Sequence, residues 1–336
     1  TRLLTVTGVQ TCALPILAMW KLLDFDIGNL TGFQKSSEPV PTPQKPKLGI
    51  ALGSGVARGW AHIGVLKRLQ KEGIEIDVVA GTSIGALVGG CYLAGKLDAL
   101  EEFALGLTKK RVINLLNIAW RGGSLINSDK LVQLLEDHIG DTRIEELPKK
   151  FICIGTELAT GHEMWMKSGR LVDAMRASYA LPGIFPPVYF KDRWLIDGAS
   201  VNPIPVSVCR SMGARIVLAV NLNRELYSDG TLVQSPSQSE PGPHSGNKYG
   251  FLRKMVRNQD NTPAMSSVLL VAFNSSQDRL ARSRLSGDPP DISIVPKYPD
   301  IGLFDFDKAQ LSIDAGEDAV ERSLPYIEDA MKALTI

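Results

Sequence analysis

The feature that most constrains the fold is an early alternation of strands and helices, punctuated by two glycine-rich turns. Leu48–Leu52 is a short apolar run followed by the turn Gly53–Gly59, and residues 60–72 then place apolar side chains at helical spacing. Ile76–Ala80 repeats the apolar run, and Ala86–Ala94 follows as a helix of small residues. Strand, helix, strand and helix within about 50 residues predict an α/β fold with a parallel sheet and flanking helices.

Composition and charge exclude several classes of protein. The chain has 336 residues, 44% of them hydrophobic and 22% charged, unlike a disordered, collagen-like or coiled-coil chain. The 37 Lys and Arg nearly balance the 36 Asp and Glu, so no basic field predicts nucleic-acid binding. Cys12, Cys91, Cys153 and Cys209 stand apart, with no CxxC pair, which predicts neither a disulfide framework nor a metal site.

The start of the chain is interpreted as an artefact. The chain begins with Thr, and Val6–Ile16 resembles an in-frame translation of a sequencing-library adaptor, so we expect residues 1–16 not to be natural sequence. The alternative is a signal peptide, but Thr, Gly and Gln interrupt its apolar run and Arg2 is its one basic residue. This interpretation leaves open whether a targeting signal was lost with the true N-terminus.

The remainder is expected to be one large domain preceded by a linker. Residues 17–46 form an N-terminal extension that ends in a proline-rich linker. The domain spans 47–336 and includes a flexible excursion at 224–262, where Ser, Pro, Gly and Gln are in excess. No apolar stretch is long enough to span a bilayer.

Hydrophobic periodicity predicts further elements along this domain. Residues 96–150 are expected to be mostly helical. The other predicted elements are strands at Phe151–Thr156, Arg193–Ile196, Ile216–Val220 and Ile292–Val295, and helices at Leu171–Ala180, 264–284 and 307–334.

A Gly-x-Ser-x-Gly sequence lies where the second strand turns into its helix. Gly81-Thr82-Ser83-Ile84-Gly85 has the strand–turn–helix context of a nucleophile elbow, in which the flanking positions must be small. The helix N-terminus behind Ser83 would favour developing negative charge. Alternatively, Ser83 is only a helix N-cap.

The earlier turn, Gly53–Gly59, fits two interpretations. A dinucleotide-binding fingerprint is the first, but Arg58 stands where its third glycine should be, and no acid ends the second strand. An oxyanion hole is the second, because Gly53 and Gly55 would expose backbone N–H groups beside the elbow if the first two strands are neighbours.

A serine nucleophile needs a base. None of His62, His138, His162 and His244 has a triad-like setting, and His62 is expected to pack or cap within its helix. Asp197 ends a predicted strand and is followed by Gly198, although an Asp-Gly pair is also a common turn.

Together these segments resemble the bacterial patatin-like phospholipase family, which is similar to the catalytic domain of neuropathy-target esterase. The marks are the glycine loop ending in Arg58-Gly59, the elbow at Ser83, the segment Ala177–Val188 and Asp197-Gly198-Ala199, in that order. The resemblance implies a three-layer α/β/α sandwich with a mainly parallel central sheet. The resemblance extends from about Lys47 to Asn223 and, more weakly, over residues 264–320.

The resemblance also implies the site. Ser83 would be the nucleophile and Asp197 the base of a Ser–Asp dyad, which fits the lack of a well-placed histidine. Gly53, Ser54 and Gly55 would supply the oxyanion N–H groups, although the family often has three consecutive glycines there. The supporting residues would be Arg58, Gly81, Gly85 and Gly198, and no cofactor or metal is implied.

The implied function is hydrolysis of fatty-acyl esters of phospholipids or lysophospholipids by a cytoplasmic enzyme, with peripheral contact to the inner membrane. Residues 109–121 combine a basic start with an apolar body and would form either an amphipathic membrane contact or an ordinary core helix. The competing hypotheses are a regulatory or partner-binding protein on the same fold and, less well supported by the loop spacing, a nucleotide-binding oxidoreductase.

Overall fold

The computed structural model describes residues 46–109, 129–222, 265–298, 301–302 and 304–334. Several predictions lie outside these residues. They are the adaptor artefact at 1–16, the extension and linker up to residue 45, residues 110–121 of the amphipathic segment, and the excursion at 224–262.

A mixed, mostly parallel sheet forms the centre of the described part of the chain. Hydrogen-bonded neighbours follow the path β5-β6-β3-β2-β1-β7-β8, and β4 pairs with β3 outside this path. The ladders that join β3, β2, β1, β7 and β8 are parallel, whereas β4 and β6 run antiparallel to β3. The strands are β1 Leu48–Leu52, β2 Val78–Thr82, β3 Lys150–Glu157, β4 Glu163–Met166, β5 Val188–Phe190, β6 Arg193–Asp197, β7 Ile216–Val220 and β8 Ile292–Ile294.

Helices cover both faces of the sheet. Among the described residues they are α1 Ala61–Lys71, α2 Ile84–Leu93, α3 Leu97–Leu105, α4 Asp129–Ile139, α5 Leu171–Ser178, α6 Val206–Ser211, α7 Met265–Gly287 and α8 Ala309–Ala333. The larger buried cluster joins α1, α2, α5 and α8 to one face, which carries Ile50 and Val79. A smaller cluster joins α6 and α7 to the other face, which carries Ala51 and Val78.

This arrangement confirms the predicted three-layer α/β/α sandwich with a mainly parallel sheet. The central strands are buried on both faces, so they read in the sequence as the unbroken apolar runs that predicted them. The strand Ile216–Val220 lies where it was predicted, whereas β2 is displaced from Ile76–Ala80 to Val78–Thr82. It extends into the elbow because Gly81 and Thr82 still pair with β3.

Three short elements were missed by the sequence patterns: β4, β5 and α6. The strands β4 and β5 are short, partly exposed and not apolar throughout. Among the described residues, no helix is both long enough and apolar enough to cross a bilayer.

Candidate active site

The strands β2 and β6 meet end to end beside β3. The last pair of β2 joins Thr82 to Ile154, and β6 continues along β3 by pairing Asp197 with Gly155. Since β4 pairs with the same β3 residues from the opposite side, β2 and β6 share one side of β3. Because β2 is parallel and β6 antiparallel to β3, their carboxyl ends face each other, which brings Ser83 next to Asp197.

Ser83 lies in a strained turn between β2 and α2. Its backbone has φ 58° and ψ −122°, a left-handed conformation that is costly for a residue with a side chain. A Cβ atom at Gly85 would lie 2.2 Å from the Leu52 carbonyl oxygen, so the turn approaches β1 too closely for any other residue. The Ser83 N–H donates to Ser178 Oγ at 2.9 Å, which holds the turn in place.

The Ser83 side chain is directed at a carboxylate. It makes no capping hydrogen bond to α2, contrary to the simple N-cap interpretation, and its Oγ donates to Asp197 Oδ2 at 2.7 Å. Both side chains are buried. A hydroxyl within hydrogen-bond distance of a buried carboxylate is an arrangement from which a proton can be transferred.

Asp197 is held by β3 and by the turn that follows it. Its Oδ1 accepts the Ala199 N–H at 2.8 Å, and its carbonyl oxygen accepts Thr156 Oγ1 at 2.9 Å. Burial raises the pKa of the Asp197 carboxyl to about 7, against the opposite influence of the hydrogen bonds from Ala199 N–H and Ser83 Oγ. A carboxyl with this pKa is a far stronger base than an ordinary aspartate.

The glycine loop contacts the elbow, but its predicted donors are not equivalent. The Gly53 N–H donates to Val220 O at 3.2 Å and the Ser54 N–H to Pro203 O at 3.0 Å, so neither is available to an oxyanion in this structure. Within the described part of the chain, the Gly55 N–H has no acceptor, and neither has the Ile84 N–H in the first turn of α2. Of the three predicted loop donors, Gly55 is thus the one whose N–H has no acceptor among the described residues, and the Ile84 N–H is a second such group, which no sequence pattern indicated.

His62 supports the loop from α1. Its Nε2 lies 2.7 Å from the Gly53 carbonyl oxygen, so Nε2 carries the hydrogen and donates. Burial lowers the pKa of His62 to about 4, although the Gly53 contact opposes the shift, and the ring is therefore neutral. This environment fits the predicted packing or capping role and gives His62 no contact with Ser83.

The other end of the loop is tied to the C-terminal part of the chain. The buried Arg58 guanidinium donates to the Ile301 carbonyl oxygen through Nε at 2.9 Å and Nη2 at 2.7 Å. The Ser54 hydroxyl donates to Gln277 Oε1 of α7 at 3.2 Å. Arg58 thus links the loop to the C-terminal part of the chain, and its supporting role stays a prediction. Gln277 is a further loop contact that no sequence pattern indicated.

The remaining predicted groups lie apart from Ser83. His138 is exposed on α4 and His162 is exposed before β4, while His244 lies outside the described residues. Cys91 and Cys153 are buried, as predicted, and so is Cys209. Within the described ranges, no group of three or more His, Cys, Asp and Glu is placed to hold a metal ion.

Comparison with known proteins identifies a family domain within the chain. Residues 50–210 match the family model described as patatin-like phospholipase. An NTE family protein of Mycobacterium tuberculosis is 37% identical over 178 residues, which are 53% of this chain and 49% of the relative. The lysophospholipase nte1 of Emericella nidulans is 27% identical over 310 residues, covering 84% of this chain and 19% of that protein.

A second NTE family protein of Mycobacterium tuberculosis is 29% identical and covers 85% of this chain, but 48% of its own length is matched. The chain thus spans about half, or less, of the length of these three relatives. The matched residues include the glycine loop, the elbow and Asp197. Residues 50–210 of the chain are thus a patatin-like phospholipase domain.

Proposed function

We propose that this protein is a serine acyl hydrolase that cleaves fatty-acyl esters of phospholipids or lysophospholipids through a Ser83–Asp197 dyad. Family membership supports a lipid hydrolase activity, and the name of the Emericella nidulans relative supports the lysophospholipid. The observation that carries the proposal is the buried hydrogen bond of 2.7 Å between Ser83 Oγ and Asp197 Oδ2.

In the proposed first step, Ser83 Oγ attacks the ester carbonyl carbon while its proton passes to Asp197 Oδ2. The Gly55 and Ile84 N–H groups are the donors proposed for the resulting oxyanion. Asp197 then gives the proton to the departing alcohol oxygen, which leaves the acyl group on Ser83. A water molecule, deprotonated by Asp197, releases the fatty acid and restores the Ser83 hydroxyl.

The acyl chain needs an apolar environment beside this dyad. Leu181 and Ile184 form a small buried cluster with Phe185 and Phe273 of α7. The cluster begins one residue after Ala180, whose carbonyl oxygen accepts the Asp197 N–H at 2.9 Å. We propose that the acyl chain of the substrate contacts these four side chains.

A fluorophosphonate probe tests the dyad, because it reacts with activated serine hydroxyls. We expect labelling of the wild type and of the exposed-site control Ser286→Ala, no labelling of Ser83→Ala, and strongly slowed labelling of Asp197→Asn. Hydrolysis of p-nitrophenyl butyrate should follow the same order, and fatty-acid release from phosphatidylcholine and lysophosphatidylcholine then identifies the preferred lipid.

Two results would contradict the proposal. If the wild type neither reacts with the probe nor hydrolyses any of these esters, the protein is not an acyl hydrolase, and the regulatory or partner-binding alternative takes its place. If Ser83→Ala keeps wild-type activity, the nucleophile has been assigned to the wrong residue.

A further inference from the structure

The antiparallel part of the sheet carries buried apolar side chains on one face and large exposed apolar side chains on the other. Leu195 and Phe190 bury in the same cluster as Met175 of α5. The other face of these strands and of the turn after β3 carries Leu158, Trp165, Tyr189 and Trp194, which expose between 42% and 57% of their surface. An open face of an antiparallel sheet ordinarily carries polar side chains, so four large apolar ones need an explanation.

The strand register places these four side chains on the same face. Trp165 pairs with Ile154, and Leu158 follows Ile154 by an even number of residues, just past the end of β3, so Trp165 and Leu158 point to the same side. The Leu158 N–H donates to Trp194 O at 2.8 Å, and Trp194 pairs with Tyr189. The ring centroids of Tyr189 and Trp194 are 5.1 Å apart. We call these four residues the aromatic patch.

The aromatic patch borders the edge of the sheet that carries Ser83. The strand β2 ends at Thr82, opposite Ile154. Leu158 and its partner Trp194 lie beyond that level by roughly 13 Å at the usual rise per residue of a strand. Leu158, Trp194 and its partner Tyr189 therefore lie past the end of β2, whereas Trp165 lies level with it.

The size and charge of the aromatic patch favour a lipid surface over a protein partner. The four exposed side chains amount to roughly 400 Å², about half of what one partner buries in a stable protein complex. On the same face as the aromatic patch, the charge of Glu163 is balanced by Arg284 of α7. Tryptophan and tyrosine, with apolar rings and a polar atom, are the residues enriched at bilayer–water interfaces.

We propose that the aromatic patch is the surface by which the protein docks on the lipid–water interface of a phospholipid bilayer. This inference rests on the proposed function, because docking there serves an enzyme whose substrate lies in that interface. The near balance of charge means that the apolar side chains, rather than attraction to anionic headgroups, drive the contact. Binding is therefore expected on zwitterionic lipid and at high salt.

Co-sedimentation of the full chain with phosphatidylcholine vesicles tests the proposal. The double variant Tyr189→Ser/Trp194→Ser is expected to lower vesicle binding about tenfold or more, because two half-exposed aromatic rings are lost. Tyr326→Ser, at an exposed position of α8, is the matched control and should bind as the wild type does. Hydrolysis of water-soluble p-nitrophenyl butyrate should stay unchanged in all three proteins.

The proposal is overturned if the double variant still binds vesicles normally, if Tyr326→Ser loses binding equally, or if the wild type hydrolyses the water-soluble ester but binds no vesicles. Binding only to vesicles containing phosphatidylglycerol, and only at low salt, would also overturn it. So would a wild-type dimer that the double variant dissociates, which would make the aromatic patch a contact between two copies. Vesicle binding without ester hydrolysis would support docking and refute the proposed function instead.

Discussion

The two halves of the sheet hold their parts of the proposed dyad in different ways. In the parallel half, β1 and β2 are buried on both faces, and close backbone contacts at Gly85 force the turn that presents Ser83. In the antiparallel half, Asp197 ends a partly exposed strand and depends on Thr156, Ala199 and its end-to-end meeting with β2.

The two halves therefore differ in whether nearby or distant residues fix the position of the proposed catalytic side chain. The Ser83 turn follows from small residues adjacent in the chain, whereas the Asp197 position follows from strand pairing between distant segments. The helix α7 contacts both halves, through Gln277 to Ser54 and through Arg284 to Glu163. Substitutions on each side can therefore show which half the activity and the stability depend on.

The largest expected effect comes from removing the carboxylate of the antiparallel half. Asp197→Asn keeps the shape of the side chain but cannot accept the Ser83 proton, so kcat for p-nitrophenyl butyrate should fall by about 10³- to 10⁴-fold. Steady-state kinetics measure this, with Asp192→Asn on the exposed turn before β6 as the control. A loss below about tenfold would show that another group is the base.

The same substitution should make the protein more stable at neutral pH. Burial raises the pKa of Asp197 from 3.8 to about 7, so the folded state holds this proton more tightly than the unfolded state does. The contribution of this proton to the free energy of unfolding is therefore complete below about pH 4. It is lost as the pH rises to about 7, which lowers the free energy of unfolding by on the order of 4 kcal/mol.

Urea unfolding of wild type and Asp197→Asn at about pH 4.5 and pH 8 measures this difference. The free energy of unfolding of the variant should rise relative to that of the wild type between the two pH values. An unchanged difference would mean that Asp197 is not buried as described.

In the parallel half, Gly85→Ala should act on stability first. The new Cβ atom would meet the Leu52 carbonyl oxygen at 2.2 Å, and a backbone atom cannot move aside cheaply, so we expect a loss of about 3 kcal/mol. Gly287→Ala, at the end of α7 with no atom within 4 Å of its Cβ position, is the control. Equal stability of the two variants in urea unfolding would argue against the tight turn.

The pH dependence of activity should follow the titration of Asp197, the proposed base in the antiparallel half. Asp197 accepts a proton only as the carboxylate, and its pKa is about 7, so kcat/KM should rise roughly tenfold between about pH 6 and pH 8 and then level off. A flat profile across this range, measured with a water-soluble ester, would contradict the raised pKa of Asp197.

The smallest expected effects come from removing the two contacts of α7 one at a time. Gln277→Ala leaves the buried Ser54 hydroxyl without its acceptor in the glycine loop and should cost about 1 kcal/mol, with a several-fold fall in kcat. Arg284→Ala breaks a partly exposed ion pair to Glu163 and should change kcat little. If Arg284→Ala had the larger effect on kcat, α7 would act mainly through the antiparallel half.

The fold was predictable because its central strands have a strong local pattern. Strands buried on both faces must be apolar throughout, and the glycines that allow the elbow are visible beside Ser83. The strands β4 and β5 were missed because short edge strands with one open face carry mixed side chains. The positions of Ser83 and Asp197 were indicated by motifs, while their roles stay predictions.

By itself, the sequence determined the α/β class, the resemblance to patatin-like phospholipases and the turn at Ser83, since each depends on residues close together in the chain. Only the tertiary structure decided that β6 meets β2 end to end and that burial raises the pKa of Asp197. It likewise decided that Gly55 rather than Gly53 keeps its N–H without an acceptor in the described part, and that four exposed side chains share one face. These properties depend on pairing and desolvation between segments far apart in the sequence, which no local pattern encodes.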